Sequence, residues 1–250
     1  MFIKHFLNSL MMIAWLKKAY DNRWGDLHFI RRREWNWVSK WLSPEKEDSI
    51  LDVACGDGFF SRKLGLKVKR IRGIDISEIS IQKANGKNKH KNSVFEQADA
   101  QKLPYPDASF TKVFSICALQ HIKNDGKALS EMQRVLKPKG ILVITVDSIG
   151  SFAKNTKFIE AHARQEHMTH QYDKEGLNKK LEQARFTVLK SKYLLNAQAS
   201  YFFVRLWSQL QFTPWLSLAF PIIYPLTVIC DSMANQNKGC VLVIKAIKNG

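Results

Sequence analysis

Acidic residues are the scarce class in this chain: 22 Asp and Glu face 39 Lys and Arg, a formal net charge of +17 over 250 residues. That balance disfavours cationic partners and favours anionic ones, whether nucleic acid, a phosphorylated substrate or an anionic membrane surface. A lysine-rich surface without a specific partner has the same composition. Cysteine is scarcer still. Cys55, Cys117, Cys230 and Cys240 are widely separated and form no CxxC spacing. This argues against a zinc site or a disulfide framework and fits reduced thiols in a cytosolic protein. No metal is expected. Repeats and low-complexity tracts are missing too, so the length suits one domain, or one domain carrying an insertion. The hydrophobic content of 45% is that of a globular chain with a substantial core.

Two further absences concern membranes. The amino-terminal apolar run is broken by His5, Asn8 and Lys17-Lys18, and no small-residue cleavage site follows. The segment therefore reads as retained rather than as a signal peptide. No charged residue occurs from Leu206 to Cys230, a run long enough to span a bilayer on length alone. Pro214, Pro221 and Pro225, with Gln209 and Gln211, argue against one continuous spanning helix there. Broken helices forming a lid or lying at an interface fit better.

What is present begins with ILDVACGDG, Ile50 to Gly58. A β-forming apolar run ends at Asp52 and passes through a small-residue turn into Phe59-Phe60-Ser61-Arg62-Lys63-Leu64, which reads as a helix opening. Such a turn presents backbone N–H groups at a helix N-terminus, where small residues let a ligand approach. The dinucleotide fingerprint needs another small residue where Phe59 stands, so the turn points to a nucleotide-like ligand other than a nicotinamide or flavin. Further strands are expected at 71–74, 94–97, 111–116, 141–146, 187–193 and 240–247. Helices are expected at 59–66, 78–85, 126–136 and 174–184. Lys137-Pro138-Lys139-Gly140 reads as the turn that ends one helix and launches the fifth strand. Alternation of this kind predicts an α/β parallel sheet with helices on both faces.

Ligands of such sheets bind outside the carboxyl ends of the strands. Asp52 ends the first. Asp75 ends the second, 17 positions past Gly58, near the spacing of about 20 expected of a carboxylate on ribose hydroxyls. Asp99 follows the third, where it would accept from an adenine amino group. Each acid alone has a plainer reading as a cap: Asp52 of its turn, Asp75 of the helix at Ser77-Glu78.

Five motifs together resemble a family. LDVACGDG (51–58), GIDIS (73–77), ADAQKLPYPDASF (98–110), ALQHI (118–122) and RVLKPKGILVIT (134–145) are similar, in order and spacing, to class I S-adenosylmethionine-dependent methyltransferases. The small-molecule and lipid-quinone branch, the methyltransferase-11-like one, is the nearest in kind. The resemblance implies a Rossmann-like, doubly wound seven-stranded sheet, mostly parallel, with the last strand antiparallel. It implies S-adenosylmethionine as methyl donor, with Asp52, Ala54, Gly56 and Gly58 around its methionine, Asp75 on the ribose and Asp99 on the adenine. Ile76, Ala100 and Cys117 join the same pocket. Ala54 stands where the family's first glycine is usual, a change tolerated if its φ is negative. Thr111-Lys112 replaces the family's acidic residue after the Ser-Phe pair, so nothing catalytic is placed there.

His121 is either a general base or a structural histidine; methyl transfer from a sulfonium needs mainly alignment. Tyr20, His167 and Tyr172 are the other candidates for the acceptor pocket, the last two also readable as an aromatic staple on the following helix. Residues 1–45, with Trp15, Trp24, Trp35, Trp37, Trp41 and Arg31-Arg32-Arg33, are expected to form a helical cap on a methyltransferase domain over 46–250. Peripheral contact with anionic membrane would come from Lys4, Lys17, Lys18 and the arginines. Residues 195–239 would be an apolar lid-like insertion before the last strand. The expected activity is methyl transfer to a small apolar or lipid-linked acceptor, in the cytoplasm or on the inner membrane face. RNA methylation, motivated by the charge, and non-catalytic donor binding are the alternatives.

Overall fold

The computed structural model describes residues 29–152, 156–209 and 220–249; the candidate Tyr20, with Trp15, Trp24 and Lys4, Lys17 and Lys18, lies outside them. Helix α1 (Phe29–Leu42) precedes β1 (Ser49–Val53), α2 (Phe59–Leu64), β2 (Arg70–Asp75), α3 (Glu78–Lys87), β3 (Ser93–Gln97) and β4 (Phe110–Ile116). After a 3-10 turn at Leu119–His121 come α4 (Asp125–Val135), β5 (Leu136–Asp147), the short α5 (Ile149–Phe152), α6 (Thr156–Gln165), α7 (Lys174–Gln183) and β6 (Phe186–Leu194). Helices α8 (Gln198–Gln209) and α9 (Phe220–Met233) lead to β7 (Val241–Lys248).

The seven strands form one sheet in the order β3-β2-β1-β4-β5-β7-β6. Pairs from β3 through β5 are parallel, and β7 runs antiparallel to both β5 and β6. This is the Rossmann-like sheet with an antiparallel last strand that the resemblance implies. All five residues of β1 are buried, as expected of a strand covered on both faces. Helices start where the sequence offers caps: Ser77 Oγ accepts from Ser80 N, Asn124 Oδ1 from Lys127 N and Asp173 Oδ1 from Gly176 N. The face of α4 that meets the sheet carries Ala128, Leu129, Met132 and Val135, all fully buried.

One boundary differs from the sequence reading. Residues 137–140 do not separate helix from strand, because β5 already begins at Leu136, which pairs with Phe110. The next pair is Lys112 with Ile141, so the extra residues of β5 loop out as an irregularity. Lys139 turns the chain there with φ +60°, and a Cβ on Gly140 would lie 2.8 Å from the Lys137 carbonyl.

The chain divides into two compact units, one of Glu34–Leu194 with Gln236–Gly250 and the other of Met1–Arg33 with Leu195–Asn235. In the first, Trp35 stacks on Phe60 with ring centroids 4.9 Å apart, and Trp35 and Trp41 are buried. In the second, Arg33 donates to Asp231 Oδ2 (2.6 Å) and to Thr227 Oγ1 (3.1 Å). Asp231 also accepts from the N–H groups of Leu195, Asn196 and Ala197 and from Ser200 Oγ, which secures the start of α8. Arg33 therefore does not serve as the lipid-facing charge expected from the sequence, because a buried carboxylate claims its guanidinium. Along α9, Ile222, Leu226, Ile229 and Met233 are all exposed, at spacings that place them on one helical face. Among the described residues, no helix is long and apolar enough to cross a membrane.

Within the sheet unit, Phe95 sets the need for two glycines. Its cross-strand partner is Gly73, where a Cβ would lie 2.6 Å from the ring; at Gly58 the distance would be 2.7 Å. We expect Gly73→Ala to lower stability by about 1–3 kcal/mol through overpacking. Denaturant unfolding measures it, and Phe95→Leu in the same chain should recover part of the loss.

Candidate functional site

The carboxyl edge of the sheet gathers the residues singled out by the sequence. At the end of β1 the chain reverses so that Cys55 N–H reaches the Ile74 carbonyl at 2.8 Å. The reversal needs three left-handed residues: Ala54 at φ +60°, Gly56 at +55° and Gly58 at +71°. The condition set for Ala54, a negative φ, is therefore not met. The backbone geometry of a glycine is kept there by a residue with a Cβ, at a cost on the order of 1 kcal/mol.

Asp75 holds the turn. Its Oδ2 accepts from Gly56 N–H (2.8 Å) and its Oδ1 from Ser77 N–H (2.9 Å). It is not the cap of α3, a role taken by Ser77. A carboxylate offers about four acceptor positions, so two backbone bonds leave capacity for a diol. Ile76, next in the chain, is 69% exposed, an apolar side chain held at the surface beside this carboxylate. A Cβ on Gly56 would meet nothing within 4 Å. The turn is therefore open on that side, where an incoming group finds backbone rather than side chain.

Asp52 lies beneath the turn, 3% exposed, and accepts from Ser61 Oγ at 2.6 Å. Burial pushes its carboxyl up to about 7; the Ser61 hydrogen bond opposes this, and the charge of Asp75 adds to it. It supports the turn from below rather than lining its open side. Asp99 is exposed after β3 and accepts from Gln101 N and Nε2 (2.8 and 3.1 Å), with Ala100 buried beside it.

Cys117, at the end of β4, repeats the device of Ala54 with φ +52°. Its N–H donates to both the carbonyl and Oγ1 of Thr145 at 2.9 Å, and Thr145 Oγ1 in turn donates to the fully buried Glu34 at 2.7 Å. Helix α1 thereby braces the ends of β4 and β5. Gln120 donates to Cys117 Sγ at 3.0 Å, and its own buried Oε1 has no partner among the described residues.

The remaining candidates fall into two groups. His121 is exposed on the turn after β4, with Nδ1 3.5 Å from the carbonyl of His167, so the structure brings these two segments together. Tyr172 is not available to an acceptor. It is 5% exposed, and its hydroxyl donates to Asp125 at 2.7 Å, which also receives Lys180. Burial, and then that bond, push the phenol well above its ordinary range. Sequence reading missed Asp147 and His162, whose Oδ2 and Nε2 lie 2.9 Å apart at the end of β5. Burial alone would lower the His162 pKa, yet the Asp147 bond and charge, with Glu166, raise it. An acid ending a fourth strand was the available signal.

Comparisons with known proteins bear on this edge. Residues 51–144 match the family model described as "Methyltransferase domain". The chain is 30% identical over 145 residues to 27-O-demethylrifamycin SV methyltransferase of Amycolatopsis mediterranei (strain S699), covering 54% of this chain and 53% of that one. It is 30% identical over 142 residues to demethylmenaquinone methyltransferase of Tropheryma whipplei (strain Twist), covering 56% and 59%. The chain thus spans little more than half the length of these relatives. Its fold matches the crystal structure of an S-adenosylmethionine dependent methyltransferase from Mesorhizobium loti with a TM-score of 0.64 at 16% identity, covering 86% of this chain and 97% of that one.

The raised pKa of Asp52 sets a pH dependence. Protonation stabilises the folded state, so that contribution is complete below the unfolded value near 3.8 and is lost as pH rises through about 7. Stability relative to Asp52→Asn should fall across this window, with a slope of at most about 1.4 kcal/mol per pH unit. Urea midpoints of both chains between these limits measure it; parallel pH profiles would contradict the assignment.

Proposed function

We propose that this chain, whose core is a class I S-adenosylmethionine-dependent methyltransferase domain, methylates a small apolar or lipid-linked acceptor such as a quinone precursor or a glycolipid intermediate. The donor supplies an electrophilic methyl group on its sulfonium. Protein residues then have to hold, orient and keep dry. Asp75 would take the ribose diol on its remaining lone pairs, with Ile76 against the adenine face and Asp99 on its amino group. Ala54, Gly56 and Gly58 would pass backbone around the methionine, over the buried Asp52, while Ala100 and Cys117 close the sides. The observation that supports donor binding most directly is the open side of Gly56 beside Asp75 and the exposed Ile76.

The apolar segment supports the acceptor class. Strand β6 runs parallel to β1–β5, so the chain leaves it at their carboxyl edge and enters residues 195–239. There, Ile222, Leu226 and Ile229 stay exposed in a stretch without charge from Leu206 to Cys230. An apolar, lipid-borne acceptor gives such a face a use, and the same face would rest on anionic membrane on the cytoplasmic side. The two relatives are named for methylating 27-O-demethylrifamycin SV and demethylmenaquinone, names that favour a small-molecule acceptor for this chain as well. No proton relay is required if alignment dominates, which leaves His121 as an optional base.

Incubation with methyl-labelled donor and separated lipid, small-molecule and RNA fractions should label the lipid or small-molecule fraction. Label confined to RNA would overturn the acceptor class. For the donor site, Asp75→Ala should weaken S-adenosylmethionine binding by about 2–3 kcal/mol in calorimetric titration. An unchanged affinity would reduce Asp75 to a clamp of the turn. Flotation with anionic vesicles should recover the parent chain, and Ile222→Asp with Ile229→Asp should release it; flotation indifferent to the pair would remove the membrane contact.

A further inference from the structure

The amino edge of the sheet, opposite the donor turn, carries a feature that methyl transfer does not use. The loops entering β1, β2 and β3 are neighbours because those strands are adjacent. Between them lies an open cleft of about 700 Å³ lined by Lys46, Lys67, Lys69, Lys89 and Lys91 together with His90. All five lysines are exposed, and Glu47 is the one acid in the lining. Elsewhere in this unit several cations are neutralised: Lys87 by Asp57, Lys112 by Asp48, Arg134 by Glu131 and Asp107, and Lys180 by Asp125. Among the described residues, none of the five cleft lysines makes an ion pair.

The loop that presents them is built, not slack. Asn92 donates through Nδ2 to the carbonyls of Gly65 and Val68 (2.9 Å to the latter), which shapes the turn between Lys67 and Lys69. His90 N–H is held by Asn88 Oδ1 at 3.1 Å. Beside Gly65 and His90, the hydroxyl of Ser93 is buried without a hydrogen-bond partner among the described residues; the residue is 3% exposed. A Cβ on Gly65 would lie 2.7 Å from that oxygen and 3.0 Å from the His90 ring, so only glycine leaves the hydroxyl this much room.

Five like charges gathered in one concave site repel one another unless an anion enters. Lysine is a point-charge binder of phosphate oxygens. The cleft volume suits a small molecule rather than a macromolecular face. We propose that this cleft binds the diphosphate or polyphosphate group of a small molecule, held by Lys67, Lys69, Lys89 and Lys91 with Lys46 across the opening. Leu66, 84% exposed at the rim, offers an apolar contact to whatever carries the phosphates.

The test is an amide-resolved NMR titration of the full chain with inorganic pyrophosphate at low salt. Saturable shifts should concentrate at residues 65–69 and 88–92, and the affinity should drop as salt rises. Replacing Lys67, Lys69 and Lys91 by Gln should weaken it roughly tenfold or more. A charge-matched control with Lys127, Lys157 and Lys179 replaced by Gln should leave it nearly unchanged. Donor binding, measured on both variants, shows that each is folded. Adenosine diphosphate in solution and a prenyl diphosphate in phosphatidylcholine vesicles then separate a soluble source from a lipid-borne one; a tighter fit to either supports the site. Shifts spread over lysines everywhere, no saturation, or equal titration of the Lys67/Lys69/Lys91 variant would overturn it. So would an RNA hairpin that shifts the same amides and that pyrophosphate fails to displace.

Discussion

Two backbone N–H groups, those of Gly56 and Ser77, converge on the single carboxylate of Asp75. Through it the turn after β1 is tied to the turn after β2, and the opening of α3 to both. Nothing else at that edge is as economical. The Cys55 N–H that meets the Ile74 carbonyl closes the same junction from the other side, and the Phe95 ring fills the space behind Gly58 and Gly73. The left-handed residues are a consequence of this closure rather than separate choices. A carboxylate that already receives two donors is held in one orientation, which is what a ligand diol needs to find. The buried Asp52 answers to the same junction, since the Asp75 charge helps raise its pKa.

The sheet was legible from the chain because its strands carry short β-rich runs and three of the helices open on a side-chain cap, at Ser77, Asn124 and Asp173, signals that are local. Where the reading departs, the cause is non-local. Lys137-Pro138-Lys139-Gly140 has the composition of a turn, but pairing of Leu136 with Phe110 draws the residue before it into the strand. Ala54 looks like a residue that avoids positive φ, until the bond from Cys55 to Ile74 requires it. Tyr172 sits in a run of His and Tyr that suggests a pocket, and only tertiary packing reveals Asp125 beneath its hydroxyl. Arg33 and Asp231 are 198 positions apart, beyond the reach of any spacing argument. At the candidate site the three acids were found, yet their division of labour was not: one is buried, one clamps and one is exposed.

The charge excess also divides by place. On the sheet unit many cations are matched by acids that lock helices and strand ends, while the lysines of the amino-edge loops are left facing a cleft. Near α9 the reverse holds, for the one acid of that helix turns inward to Arg33 while Ile222, Leu226, Ile229 and Met233 face outward. Composition alone gives the same +17 for both arrangements.

The order β5-β7-β6 has a consequence for how the chain is made. Strand β6 touches the rest of the sheet only through β7, and β7 is the last of the seven to be synthesised. Until residues 241–248 leave the ribosome, β5 presents a bare edge and β6 has no neighbour to pair with. The turn after β1, tied to a strand that ends at Asp75, some 170 positions before Val241 opens β7, can take shape while that edge is still open. Ligand captured during synthesis would then stabilise a half-finished sheet through its vulnerable interval, when an unpaired strand edge is most exposed to aggregation.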